Sequence, residues 1–145
     1  MTEFPHHYRV AATARPEGNV GLSGAGLPEI QSAPPADFGG PGDLWSPESL
    51  LVAAVADCFV LTFRAIARAS KLSWTSLECA VEGTLDRVER VTQFTGFRVV
   101  VSLRVPAGTN PDQARRLLAK AEQGCLITNS LKAASHLEAE VAVAD

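Results

Sequence analysis

The stretch from Ser46 to Lys71 constrains this chain most. Ser46 is a good N-cap, Pro47 suits the first helical position, and Glu48 puts negative charge where a helix dipole favours it. The residues that follow, LLVAAVADCFVLTF, are apolar on nearly every side, and only then does RAIARASK turn amphipathic and basic. A helix apolar all round has to be covered all round. The pattern therefore predicts a long central helix buried in the core of the protein or of an oligomer. The apolar run Leu50 to Phe63 is broken by Asp57 and is too short for a bilayer core of about 30 Å. That favours a core helix over a membrane span.

What surrounds such a helix must supply the cover, and the composition allows it. The chain has 145 residues, 46% hydrophobic and 20% charged, with a formal net charge of −3. These values fit one globular domain over residues 1–145 with a real core, without help from disulfides or a structural metal. Lys and Arg are scattered and no basic block occurs, which argues against nucleic acid or an anionic membrane as a partner. The opening residues MTEFPHHYRV lack the charged head and apolar run of a secretory signal, so the expected location is the cytoplasm.

Before the helix, Tyr8, Val10 and Ala12 alternate with Arg9, Ala11 and Thr13, and suggest a half-buried strand entering the turn Arg15-Pro16-Glu17-Gly18. A second short strand at Asn19 to Leu22 would complete a hairpin. From Ser23 to Leu44 there are too many chain breakers for regular structure, and a loop of that length is often functional. After the helix, Leu77, Cys79 and Val81 alternate with Glu78 and Glu82. Beyond a charged turn near Asp86 to Arg90, Phe97, Val99, Val101, Leu103 and Val105 share one face. The two strands read as antiparallel neighbours. Asn110 and Pro111 start a second helix that stops near Gly124, CLITNSLKAA offers another short helix, and Leu137, Ala139, Val141 and Val143 mark a last strand. The order is α+β, with antiparallel sheets around the long helix.

In a reducing compartment each of the three cysteines is either packing or chemistry. They are too few and too scattered for a disulfide framework or a zinc pattern. Cys79, in phase with Leu77 and Val81, reads as packing. Cys58 is open to packing or reactivity. Cys125 stands where one helix ends and another begins, where unpaired backbone N–H groups favour a thiolate. Spacing does not say whether Cys58 and Cys125 meet. His6, His7 and His136 read as solvated residues rather than metal ligands, and Trp45 and Trp74 as packing at the ends of the helix.

The segment SPESLLVAAVADCF, with Pro-Glu opening a helix and Cys58 ten residues after Glu48, resembles the signature of the OsmC/Ohr family of thiol-dependent peroxidases. In register with it come TARPEGNV with Arg15, the Gly-Gly loop FGGPG, and AEQGCLITNSL with Cys125. Leu126 stands where the family commonly has Pro, and Asp57 where it more often has a small or neutral residue, which marks a divergent OsmC-like branch.

The resemblance implies an OsmC-like fold, an intertwined homodimer, and reduction of organic hydroperoxides, with hydrogen peroxide as a further substrate. By position, Cys58 resembles the peroxidatic and Cys125 the resolving cysteine. Arg15 and Glu48 resemble the charged pair that prepares the thiolate. No metal, flavin or haem is called for, and the reductant would be a thiol or dithiol, with lipoyl compounds as candidates. Helix rise separates Glu48 from Cys58 by about 15 Å. Either Arg15 bridges them or two copies of the helix complete each other's site. The competing expectations are an OsmC-like protein that senses redox state or binds a ligand without turnover, and a structural dimer with inert thiols.

Overall fold

The computed structural model describes residues 3–145 and divides the chain into two compact units, one ending at Leu50 and one running Leu51–Asp145. In the first unit, β1 (Ala11–Thr13), β2 (Val20–Ser23) and β3 (Ile30–Ser32) form an antiparallel sheet in the order β1-β2-β3. The expected hairpin is there, but Tyr8 and Val10 lie outside it and β1 is exposed rather than half-buried. The segment from Ser23 to Leu44 is more regular than its composition suggests. It contains β3 and a single 3-10 turn, Ala36–Phe38. Pairing explains this: β3 hydrogen-bonds to β2, and Ala33 donates to the Trp45 carbonyl at 2.9 Å. Gly40 is required in this loop because a Cβ there would stand 1.7 Å from the Pro34 carbonyl oxygen.

Helix α1 (Pro47–Ala69) begins where the sequence places it. The Ser46 hydroxyl accepts the Ser49 N–H at 3.1 Å, and the Ser49 hydroxyl accepts the Ser46 N–H at 2.9 Å. Two orphan donors of the helix start are thereby satisfied reciprocally. At Ala69 the helix ends in a tight turn, closed by the Leu72 N–H on the Ala67 carbonyl.

In the second unit, β4 (Ser76–Val88) and β5 (Val91–Val105) pair antiparallel, and β6 (Ala134–Val143) joins β5 in parallel. This corrects the expectation of purely antiparallel sheets. The chain returns from the end of β5 through α2 (Pro111–Gly124) and α3 (Leu126–Asn129), and such a crossover delivers the next strand parallel. Asn110 caps α2 as expected, its side chain accepting the N–H groups of Asp112 and Gln113.

The core lies between the sheet and the helices. Phe97, Val99, Val101, Leu103 and Val105 meet Val55, Phe59, Phe63 and Ala67 of α1 and Ala114, Leu117, Leu118 and Ala121 of α2. Gly83 of β4 is opposite Val52 of α1, where an added Cβ would stand 2.9 Å from Val52 Cγ2. Phe63 meets the edge of Trp74 with ring centroids 5.6 Å apart. These two contacts fix how α1 lies on β4. Within one chain the cover of α1 lies along this stripe, and Leu61 on the same helix is 50% exposed. A single 14-residue helix beside the sheet leaves part of a 23-residue apolar helix bare.

Phe63 is fully buried, so Phe63→Ala is expected to cost about 3–5 kcal/mol. Urea unfolding monitored by Trp fluorescence measures this as a lowered midpoint.

Candidate functional site

Cys58 is carried on the middle of α1 and Cys125 on the junction between α2 and α3. Packing α2 against the sheet brings this junction to α1: a Cβ on Gly124 would stand 3.7 Å from Thr62 Cγ2. The fold thus joins two thiols that the sequence separates widely. Both are free thiols, Cys58 half-buried and Cys125 only 2% exposed.

Four hydrogen-bond donors surround Cys58. Burial pushes its thiol up, but the Ile127 N–H, the Cys125 thiol, the Thr62 hydroxyl and the Leu126 N–H together bring it below its ordinary value. The Thr62 hydroxyl lies 3.8 Å from Cys58 Sγ, one helical turn further along α1. The balance shifts the thiol toward ionisation.

Sequence reasoning assigned the amides at the start of α3 to Cys125, and the structure gives them to Cys58. Cys125 is the N-cap of α3, yet its side chain makes no cap hydrogen bond and is turned into the interior. The N–H groups of Leu126 and Ile127 are therefore left for the sulfur across from them. Leu126 occupies the position where the resemblance led to an expected Pro. It supplies an N–H that proline lacks. Thr62 was missed, although its place four residues after Cys58 puts it on the same face of any helix.

Arg15 and Glu48 lie in the first unit. Arg15 is exposed in the turn after β1. Glu48 is in the first turn of α1 and borders an apolar cavity of about 500 Å³ lined by Leu22, Pro34, Pro35, Phe38 and Leu50 among others. Its Oε1 is buried without a hydrogen-bond partner. Among the described residues no ion pair joins Arg15 to Glu48. Asp57, the other departure from the family pattern, next to Cys58, is exposed.

Cys79 holds the position expected of packing, half-buried on the inward face of β4. Burial and the nearby charge of Cys125 push its thiol up to about 11. Among the described residues no three His, Cys, Asp or Glu side chains converge in a way that could hold a metal ion.

A thiol made more acidic by nearby donors, with a second thiol beside it, can attack an electrophile and then close a disulfide. The chain as a whole has relatives. A profile of the family described as "OsmC-like protein" matches residues 40–140. The chain is 26% identical over 144 residues to the uncharacterized protein YmaD of Bacillus subtilis, covering 95% of each. It is 31% identical over 123 residues to an organic hydroperoxide resistance protein of Xanthomonas axonopodis, covering 83% of each. The fold is that of an OsmC-like protein of unknown function from Vibrio cholerae, with a TM-score of 0.85 at 17% identity over 94% of this chain and 100% of that one. By the extent of the profile and the identity to the Xanthomonas relative, the chain belongs to the OsmC/Ohr family of OsmC-like proteins.

Proposed function

We propose that this protein is a cysteine peroxidase that reduces organic hydroperoxides, and hydrogen peroxide less well. The observation that carries this reading is the Cys58 sulfur, lowered toward the thiolate by Thr62, Cys125 and the start of α3. The name of the Xanthomonas relative supports a peroxide-related role.

In the cycle, the Cys58 thiolate attacks the distal peroxide oxygen. The O–O bond breaks, the alkoxide leaves and takes a proton, and Cys58 becomes a sulfenic acid. The Cys125 thiol then attacks Cys58 Sγ, water leaves, and a disulfide forms. An external thiol or dithiol reopens it, a lipoyl compound being suitable because its two thiols complete the exchange within one molecule. Cys58 and Cys125 supply all the covalent chemistry, with no metal or organic cofactor. Free thiols kept at such close range suit a reducing compartment, which supports a cytoplasmic location.

Arg15 and Glu48 act in this reading as the charged pair that orients peroxide and thiolate, in an OsmC-like domain spanning 1–145 and completed by homodimer formation. Two features support the dimer. The apolar side of α1 around Leu61 is uncovered, and the buried Glu48 Oε1 has no partner. A buried unpaired carboxylate oxygen is costly, and a guanidinium would offset that cost.

The decisive experiment follows dithiol-dependent consumption of cumene hydroperoxide. Wild type is expected to turn over, Cys58→Ser to fall to background, and Cys125→Ser to react once and stop as sulfenic or sulfinic acid. A folded wild type with no turnover and an unoxidised Cys58 would overturn the peroxidase and leave a sensing or ligand-binding role.

Alkylation by iodoacetamide as a function of pH reports the thiolates directly. Cys58 should react with a midpoint below the ordinary thiol value, and Cys79 only as pH approaches about 11. Thr62→Val removes one donor and should raise the Cys58 midpoint. Sedimentation at micromolar concentration should give twice the 15.3 kDa chain mass, and Leu61→Asp should return it to that of one chain.

A further inference from the structure

The proposed cycle uses Thr62 only to acidify Cys58, yet its hydroxyl is placed for a second task. Thr62 follows Cys58 by four residues on α1, so the approach of hydroxyl to sulfur is set within one helical turn. It does not depend on how the two units, or two copies, meet. Oγ1 lies 3.8 Å from Sγ. Around α3, the hydroxyls of Thr128 and Ser130 donate to the carbonyls of Cys125 and Leu126, three and four residues back, as helical hydroxyls commonly do. That of Thr62 is bonded to a sulfur instead. Its orientation is held from the other side, where Cγ2 faces Gly124, 3.7 Å from the point at which a Cβ there would stand. On a β-branched side chain, fixing Cγ2 fixes Oγ1 with it.

We propose that Thr62 is a catalytic residue, its hydroxyl passing its hydrogen bond from the Cys58 sulfur to the peroxide as the O–O bond breaks. This rests on the peroxidase reading of the preceding section. Before the reaction an ionised sulfur has no proton to give, so the hydroxyl donates to it. A peroxide oxygen in position for attack, about 3–3.5 Å from Sγ, can at the same time lie about 3 Å from Oγ1, since the third side of that triangle is 3.8 Å. As the step proceeds, the Sγ–O bond forms and the O–O bond breaks with its electron pair leaving on the alkoxide oxygen. Sulfur loses two electrons and the peroxide gains them. Negative charge thus moves from sulfur to oxygen.

The hydroxyl follows that charge by turning about its Cβ–Oγ1 bond, with no heavy atom displaced. The alkoxide takes its proton from solvent, and Thr62 keeps its own. The amides of Leu126 and Ile127 are fixed in the backbone and stay with the sulfur. The donors therefore divide the work. The amides favour the thiolate before attack, whereas Thr62 makes an interaction that is stronger in the transition state, and only such interactions accelerate the step.

Two electrophiles on one sulfur test this. Cumene hydroperoxide expels an alkoxide, which needs a donor, and iodoacetamide expels iodide, a weak hydrogen-bond acceptor. Wild type, Thr62→Val, Thr62→Ala and Thr62→Ser are treated with excess reagent at a pH above the alkylation midpoint of each, so that thiolate content no longer differs. Loss of the free Cys58 thiol is followed by mass spectrometry. Thr62→Val should be oxidised roughly 100-fold more slowly than wild type, with its alkylation rate unchanged, and Thr62→Ser should recover most of the oxidation rate. Thr62→Ala carries the same expectation as Thr62→Val if the valine variant does not fold. Equal oxidation of variant and wild type overturns the role of Thr62 and leaves the peroxidase standing. So does an equal slowing of both reagents, the mark of an effect on the sulfur alone. A wild-type Cys58 that iodoacetamide alkylates and the hydroperoxide leaves unoxidised overturns both.

Discussion

The packing of one stripe of α1, Val55, Phe59, Phe63 and Ala67, on the inner face of the β4-β5-β6 sheet is the contact on which the rest depends. These side chains recur every fourth residue, which tracks one face of a helix. Burying each Phe contributes roughly 1.5–3 kcal/mol. More important for chemistry, the stripe fixes the rotation of α1. Cys58 precedes Phe59 and Thr62 precedes Phe63, so seating the two rings in the core turns the sulfur and the hydroxyl to one flank of the helix. That flank is where α2 delivers the start of α3.

Acidity at Cys58 is then a matter of backbone geometry more than of charge. Its donors are two amides, a thiol and a hydroxyl, all without formal charge and all positioned by packing. Such donors do not need to reorganise when the sulfur ionises. The α3 helix has only four residues and a negligible macrodipole, but its first N–H groups are unpaired by construction.

Much of this could be read in the sequence where local rules govern. Ser46 and Pro47 announced α1, Asn110 and Pro111 announced α2, and the alternation from Leu77 and from Phe97 gave β4 and β5 with the correct inward faces. What escaped was set by distant partners. The parallel pairing of β6 depends on the path of the crossover, β3 is a strand because β2 and Trp45 are beside it, and the recipient of the α3 amides depends on which way Cys125 turns. The site was legible as a list of residues on the strength of resemblance.

The order of the chain gives this arrangement a temporal side. Cys58 is made well before Leu126 and Ile127, and at about 5–20 residues per second the nascent chain holds it for some seconds without its donors. During that interval the sulfur has the acidity of any cysteine and no neighbour to close a ring with. Its donors from Leu126 and Ile127 come into place only with the crossover that leads from β5 to β6. The lowering of the Cys58 thiol is thus a property of folded copies, in which the start of α3 stands beside α1.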